Sequence, residues 1–128
     1  MIFARSSSLR ALSLPLIVLC LCFAGCAKTA SKLTVKVTND TSIELSNVTV
    51  ELKRSSETQT IAVLKPAESV TLTFQKSKDE DSFSVSAIDP SGTRVAQDVG
   101  YVDHDSYGCE LRFHRSSATG NIAIDFRN

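Results

Sequence analysis

The stretch Phe83–Val102 reads FSVSAIDPSGTRVAQDVGYV. Phe83, Val85 and Ala87 alternate with serines, which is the period-two pattern of a half-buried strand. Asp89-Pro90-Ser91-Gly92 then places Asp first, Pro second and Gly fourth, the residues a type I turn favours. Beyond the turn, Val95, Val99 and Tyr101 share one phase. Two alternating runs joined by a turn of this composition predict an antiparallel hairpin.

The same pattern extends in both directions. Leu33, Val35 and Val37 share one phase, and Asn39-Asp40 follows as a turn signal. Val48, Val50 and Leu52 share another. Ile43 and Leu45 are out of step with them, which predicts a bulge near Ser46-Asn47. Ile61 and Val63 form a third set, closed by Pro66. Val70, Leu72 and Phe74 follow, then the mixed-charge turn KSKDED. Past the hairpin, Cys109, Leu111 and Phe113 align, as do Ile122, Ile124 and Phe126. About eight short strands with turn signals every ten to twelve residues predict an all-β fold, an antiparallel Ig-like β-sandwich of seven to eight strands. A closed barrel and a transthyretin-like strand order stay open, because one sequence does not set strand pairing.

Upstream, the chain has a different character. MIFARSSSLR carries Arg5 and Arg10 and no acid, and ALSLPLIVLCLCFAG is apolar apart from Ser13. Fifteen residues of helix span only about 22 Å, short of the roughly 30 Å hydrocarbon core. A basic start, a short apolar middle and small residues at the end are the parts of a secretory signal. This predicts a signal helix over 1–25, a tether over 26–32 and one sandwich domain over 33–128. FAGC, residues 23–26, resembles the lipobox of bacterial lipoproteins, with Ala24 and Gly25 before the cysteine and Phe23 where leucine is usual. The resemblance implies a diacylglyceryl thioether on Cys26, which becomes the first mature residue. It further implies an exported protein held in the cell envelope through this lipid, at the outer membrane in a diderm bacterium. Ordinary cleavage after Ala27, giving a soluble exported domain, is the alternative.

The layout of the rest is similar to small exported bacterial domains with an Ig-like or transthyretin-like sandwich and no known function. The residues that carry this likeness are Leu64-Lys65-Pro66-Ala67-Glu68-Ser69 and Val70-Thr71-Leu72-Thr73-Phe74. It implies a fold and no catalytic residue.

Charge and cysteine usage narrow the function classes. The whole chain has 14 basic and 14 acidic residues. Loss of Arg5 and Arg10 leaves twelve against fourteen, a net charge of about −2, which offers no general attraction to nucleic acid. Of the four cysteines, Cys20 and Cys22 leave with the signal under either cut, and Cys26 takes the lipid or is removed. Cys109 is then alone, without a disulfide partner, and its phase with Leu111 and Phe113 predicts a small buried hydrophobe.

YVDHDSYG, residues 101–108, is the loop richest in chemistry. Tyr101, Asp103, His104, Asp105 and Tyr107 make it the candidate binding loop, since long loops on a rigid frame often carry recognition. Asp103, His104 and Asp105 are donors suited to a divalent ion. Adjacent side chains on extended backbone diverge, however, and His114 lies well along the next strand; no metal site and no cofactor are expected. GxSxG, phosphate-loop and CxxC motifs are absent. The expected function is a lipid-anchored, non-catalytic envelope module that binds an envelope protein or glycan. The alternative is a soluble exported small-ligand or metal-binding sandwich.

Overall fold

The computed structural model describes residues 31–76, 79–103 and 105–128. The signal segment, Cys26 and His104 lie outside these residues. Among the described residues, eight strands run in chain order: β1 (Lys32–Asn39), β2 (Leu45–Leu52), β3 (Glu57–Leu64), β4 (Ser69–Gln75), β5 (Asp81–Ile88), β6 (Arg94–Val102), β7 (Gly108–Arg115) and β8 (Ile122–Arg127). They form two four-stranded sheets, β4-β1-β7-β8 and β3-β2-β5-β6. The all-β sandwich expected from the alternation is present. One pair departs from the antiparallel rule: β1 and β7 run parallel, with Val35 opposite Cys109 and Val37 opposite Leu111. In a constant-type immunoglobulin domain the first two strands share a sheet; here β1 and β2 lie in different sheets.

Each sheet turns its alternating apolar face inward. Val35, Val37, Val48, Val50, Phe74, Phe83, Val85, Leu111 and Phe113 are fully buried. Phe83 links the aromatic part of this core. Its ring meets Phe74 edge-on at 6.4 Å and Phe126 at 6.0 Å between centroids, arrangements that add to the area term.

Two bulges re-aim side chains. Asn47 takes a left-handed φ of 47°, and the β2–β5 register slips between Ser46 and Thr49, which places the expected bulge. Its effect reaches β3. That strand stays in constant register with β2, pairing Leu45 with Leu64 and Val48 with Ile61. When β2 changes phase, β3 changes with it, so Leu64 turns inward and Val63 outward. Val63 is 43% exposed, correcting its expected place beside Ile61. The second bulge is at Gly100, φ 72°, where the β5–β6 register slips between Asp81 and Phe83. The extra residue turns Tyr101 out and Val102 in. Tyr101 therefore does not share the inward phase of Val99.

The seams between the sheets are closed by glutamines. At one, Gln97 receives the Ile124 N–H at 3.3 Å and donates to the Ile124 carbonyl at 3.2 Å. Its amide thus takes the place of a neighbouring strand for β8. At the other, Gln59 donates to the Thr73 carbonyl and Glu57 accepts from the Gln75 N–H at 2.9 Å. Satisfying edge groups in this way blunts strand-to-strand aggregation.

The turn Lys65–Glu68 closes with a Glu68 N–H bond to the Lys65 carbonyl at 3.1 Å. Pro66 stands at its second position and Ala67, φ 62°, at its third, the position where a type II turn favours glycine. A left-handed alanine costs about 1–2 kcal/mol, while glycine adds roughly 0.4–1 kcal/mol of unfolded-state entropy. Ala67→Gly is therefore expected to stabilise the domain by about 0.5 kcal/mol, read as a raised urea midpoint at unchanged slope.

Candidate functional site

Successive strands alternate in direction, so the sandwich has two ends. One gathers the turns after β1, β3, β5 and β7. The other gathers Ser31, the turns after β2 and β4, and the loop after β6. The candidate loop belongs to this second end, where Thr34 N–H donates to the Tyr107 carbonyl at 3.0 Å and Lys76 N–H donates to the Ser31 carbonyl at 2.8 Å.

The loop is held by its own polar groups. Asp103 Oδ1 accepts from the Asp105 N–H at 3.1 Å and the Ser106 hydroxyl at 2.8 Å. Ser106, 7% exposed, accepts in turn from Asn128 Nδ2 at 3.1 Å. Asp103 thus acts as a turn former. The tyrosines point the other way: Tyr101 is 52% and Tyr107 63% exposed. Lys76 Nζ sits 4.0 Å from the centre of the Tyr107 ring, a cation–π contact. Tyr101 hydrogen-bonds Glu80, and that carboxylate, with some burial, holds the phenol pKa above its usual value. Beside it lies an open depression of about 380 Å³ lined by Lys53, Arg54, Glu80, Asp81, Ser82 and Tyr101. Asp81 is committed to structure. Its carboxylate accepts from the Arg54 and Ser82 N–H groups at 2.8 Å each and from the Ser55 N–H at 3.3 Å.

Sequence reasoning named the tyrosines and acids of this loop and missed Lys76, Glu80, Ser106 and Asn128. The first two lie in the turn after β4, and only the strand order brings that turn to Tyr101 and Tyr107. His114 is not brought to the loop. It lies toward the far end of β7, with Nε2 3.1 Å from Asp125 Oδ1. Among the described residues no group of three or more His, Cys, Asp or Glu side chains is placed to hold a metal ion.

Cys109 is half-buried and packs against the core. Burial pushes its thiol pKa up to about 12, so little thiolate exists at neutral pH. Its alkylation by iodoacetamide in the native protein is expected to run at least tenfold slower than in urea. Equal rates would contradict this packing.

At the opposite end a groove of about 430 Å³ is lined in part by Ile43, Asp89, Arg94, Val95, Arg115 and Ile122. Arg115 Nη1 donates to the Gly120 carbonyl at 3.0 Å. Asp89 is occupied by its own turn, its Oδ1 accepting from the Ser91 and Thr93 N–H groups at 2.9 Å each and from the Ser91 hydroxyl at 2.6 Å. That bonding holds its pKa below the usual carboxylate range.

No protein-family model and no curated protein matches the chain. Among solved structures, it is similar to a protein from Eubacterium rectale determined by NMR, with a TM-score of 0.63 and 12% sequence identity. That likeness covers 74% of this chain and 87% of the other. At this identity it speaks to the fold.

Proposed function

We propose that the chain is a lipid-anchored, non-catalytic module of a bacterial cell envelope that acts by binding, without a cofactor, through the loop carrying Tyr101 and Tyr107. The observation that carries this reading is the contrast within that loop. Asp103, Ser106 and Asn128 fix its backbone, while both tyrosines stand in solvent. A fixed loop presenting aromatic side chains loses little entropy when it binds. The FAGC sequence supports the anchor. The separation of β1 and β2 into different sheets supports a transthyretin-like order over the immunoglobulin one.

Two measurements test the reading. Mass spectrometry of the mature protein is expected to show a lipid on Cys26, with Cys26→Ser leaving the membrane fraction; an unmodified Cys26, or cleavage after Ala27, removes the anchor. Affinity capture from the native envelope is expected to return a specific protein or glycan partner that Tyr101→Ala and Tyr107→Ala release. Capture unaffected by both changes would move the binding surface elsewhere.

The groove at the opposite end favours a second reading, a soluble exported domain for small ligands. Its two guanidinium groups beside Ile43, Val95 and Ile122 suit a carboxylate with an apolar body. NMR titration with octanoate tests it: saturable shifts at those three residues support it, and their absence ends it.

A further inference from the structure

The end that carries Tyr101 and Tyr107 is also where the chain enters the sandwich. Ser31 is bonded there to Lys76, and Thr34 to Tyr107. Five peptide units separate Ser31 from Cys26, and fully extended they reach at most about 18 Å. The opposite end lies about 26 Å further away, the rise of an eight-residue strand. A lipid on Cys26 therefore holds the tyrosine end close to the bilayer and leaves the turns after β5 and β7 facing outward.

We propose that this end rests on the membrane surface itself, with Tyr101 and Tyr107 in the headgroup layer of the bilayer that Cys26 anchors; the inference rests on the lipid-anchor reading above and makes lipid, in place of a protein or glycan, what these two side chains bind. Three observations favour lipid as the occupant. The tether keeps this end within about 18 Å of the surface. Of the three large hydrophobic side chains left exposed among the described residues, Val63, Tyr101 and Tyr107, two are at this end. Tyrosine, apolar in its ring and polar at its tip, favours the membrane–water interface.

Charge indicates the kind of surface. Among the described residues at this end, Lys53, Arg54 and Lys76 stand with Asp79, Glu80, Asp103 and Asp105, and Lys32 and Arg127 with Glu57 and Asp81, so acids are no fewer than bases. Lys53 Nζ lies 2.6 Å from Asp98 and Arg54 Nη2 lies 3.6 Å from Asp79. Such an end has no net attraction for anionic lipid. It suits zwitterionic headgroups, whose phosphate and ammonium find both signs around the depression beside Tyr101. Two tyrosines alone bind weakly. A short flexible tether raises the effective concentration to about the millimolar range, where weak contacts hold.

The chain contains no tryptophan, so one introduced indole is a clean reporter. The chain beginning at Cys26 is coupled through that thiol to a maleimide lipid in phosphatidylcholine vesicles; Cys109, with its raised pKa, reacts far more slowly. Three single variants are compared: Tyr107→Trp, Tyr101→Trp and, at the outward end, Ser117→Trp. All three positions are exposed, so the fold tolerates them. A headgroup nitroxide quencher is expected to dim the first two at least twofold and leave the third near its unquenched intensity. Adding phosphatidylglycerol or salt is expected to change little. Chemical coupling stands in for cellular lipidation, so failure here is separate from failure of the anchor reading, which the mass of the mature protein decides. Equal quenching of all three, or quenching strongest in Ser117→Trp, would overturn the proposal. Quenching of the first two only with anionic lipid would overturn the zwitterionic assignment.

Discussion

Gly100→Ala is expected to lower the stability of the domain by about 2–4 kcal/mol, a large share of the roughly 5–15 kcal/mol that holds such domains folded. Two physical costs combine. The backbone at Gly100 has φ +72°, where an L side chain is strained by about 1–2 kcal/mol. A Cβ there would also lie 2.4 Å from Phe126 Cδ2 and 2.5 Å from Cγ, so the ring must move. That movement costs about 1–3 kcal/mol of overpacking, because Phe126 packs on Phe83 at 6.0 Å. Reduced unfolded-state entropy returns less than about 1 kcal/mol. The protein carries its own controls. Gly92 and Gly120 have φ of 83° and 69° with nothing within 4 Å of an added Cβ. Alanine at either meets the backbone strain alone, a loss of about 1 kcal/mol. Urea unfolding of the three variants separates the terms. If Gly100→Ala falls no further than the other two, the ring does not limit the site. A second readout is the loop itself. Gly100 is what turns Tyr101 outward, so the variant is expected to weaken any binding that uses Tyr101.

The bulge at Gly100 also shows where alternation stops being readable. A strand such as β5 announces itself, since Phe83, Val85 and Ala87 need only period two and all three are fully buried. The eight runs of the sequence correspond to the eight strands for the same reason, with ends displaced by a residue or two. Tyr101 and Val63 defeat that logic in different ways. For Tyr101 the signal was present, because a glycine inside an alternating run marks a bulge. For Val63 no local signal exists; its phase follows from Asn47 on the neighbouring strand. The β1–β7 pairing is further from reach, joining residues more than 70 positions apart. The site divides along the same line. Tyrosines, acids and loop length can be read from residues 101–108. The Lys76 contact, the Glu80 bond and the proximity of Ser31 arise only once the strand ends are placed.

Asn39→Asp is expected to destabilise the domain by about 3–5 kcal/mol at pH 7, although it exchanges one NH₂ for an oxygen. In sequence Asn39 reads as a turn residue. In the fold it ends β1 with no exposure to solvent. Its Nδ2 donates to the Ile43 carbonyl at 2.8 Å and the Leu64 carbonyl at 2.9 Å. Its Oδ1 accepts from the Thr41 N–H at 3.0 Å and the Thr41 hydroxyl at 2.6 Å. Four bonds thus tie β1, the β1–β2 loop and the end of β3 together. Aspartate keeps the acceptors and loses both donors, setting an oxygen against two carbonyls. Each buried group left unpaired costs about 1–3 kcal/mol, and an ionised carboxylate there costs more. Burial and the facing carbonyls raise the pKa of the folded variant above the unfolded value of about 3.9. The sign of the pH dependence follows. Below the unfolded pKa the acid is neutral in both states and its hydroxyl donates to one carbonyl. As pH climbs from there through the folded pKa, that stability is lost. Asn39→Ala takes the amide donor from the Leu64 carbonyl and the acceptor from the Thr41 N–H, while the Thr41 hydroxyl still donates to the Ile43 carbonyl; it costs about 3 kcal/mol and adds no titrating group. The gap between the aspartate and alanine variants is therefore expected to favour aspartate near pH 4 and to close or reverse by pH 7. A gap that does not change with pH, or one that grows in favour of aspartate as pH rises, would mean that Asn39 does not hold this junction by donating.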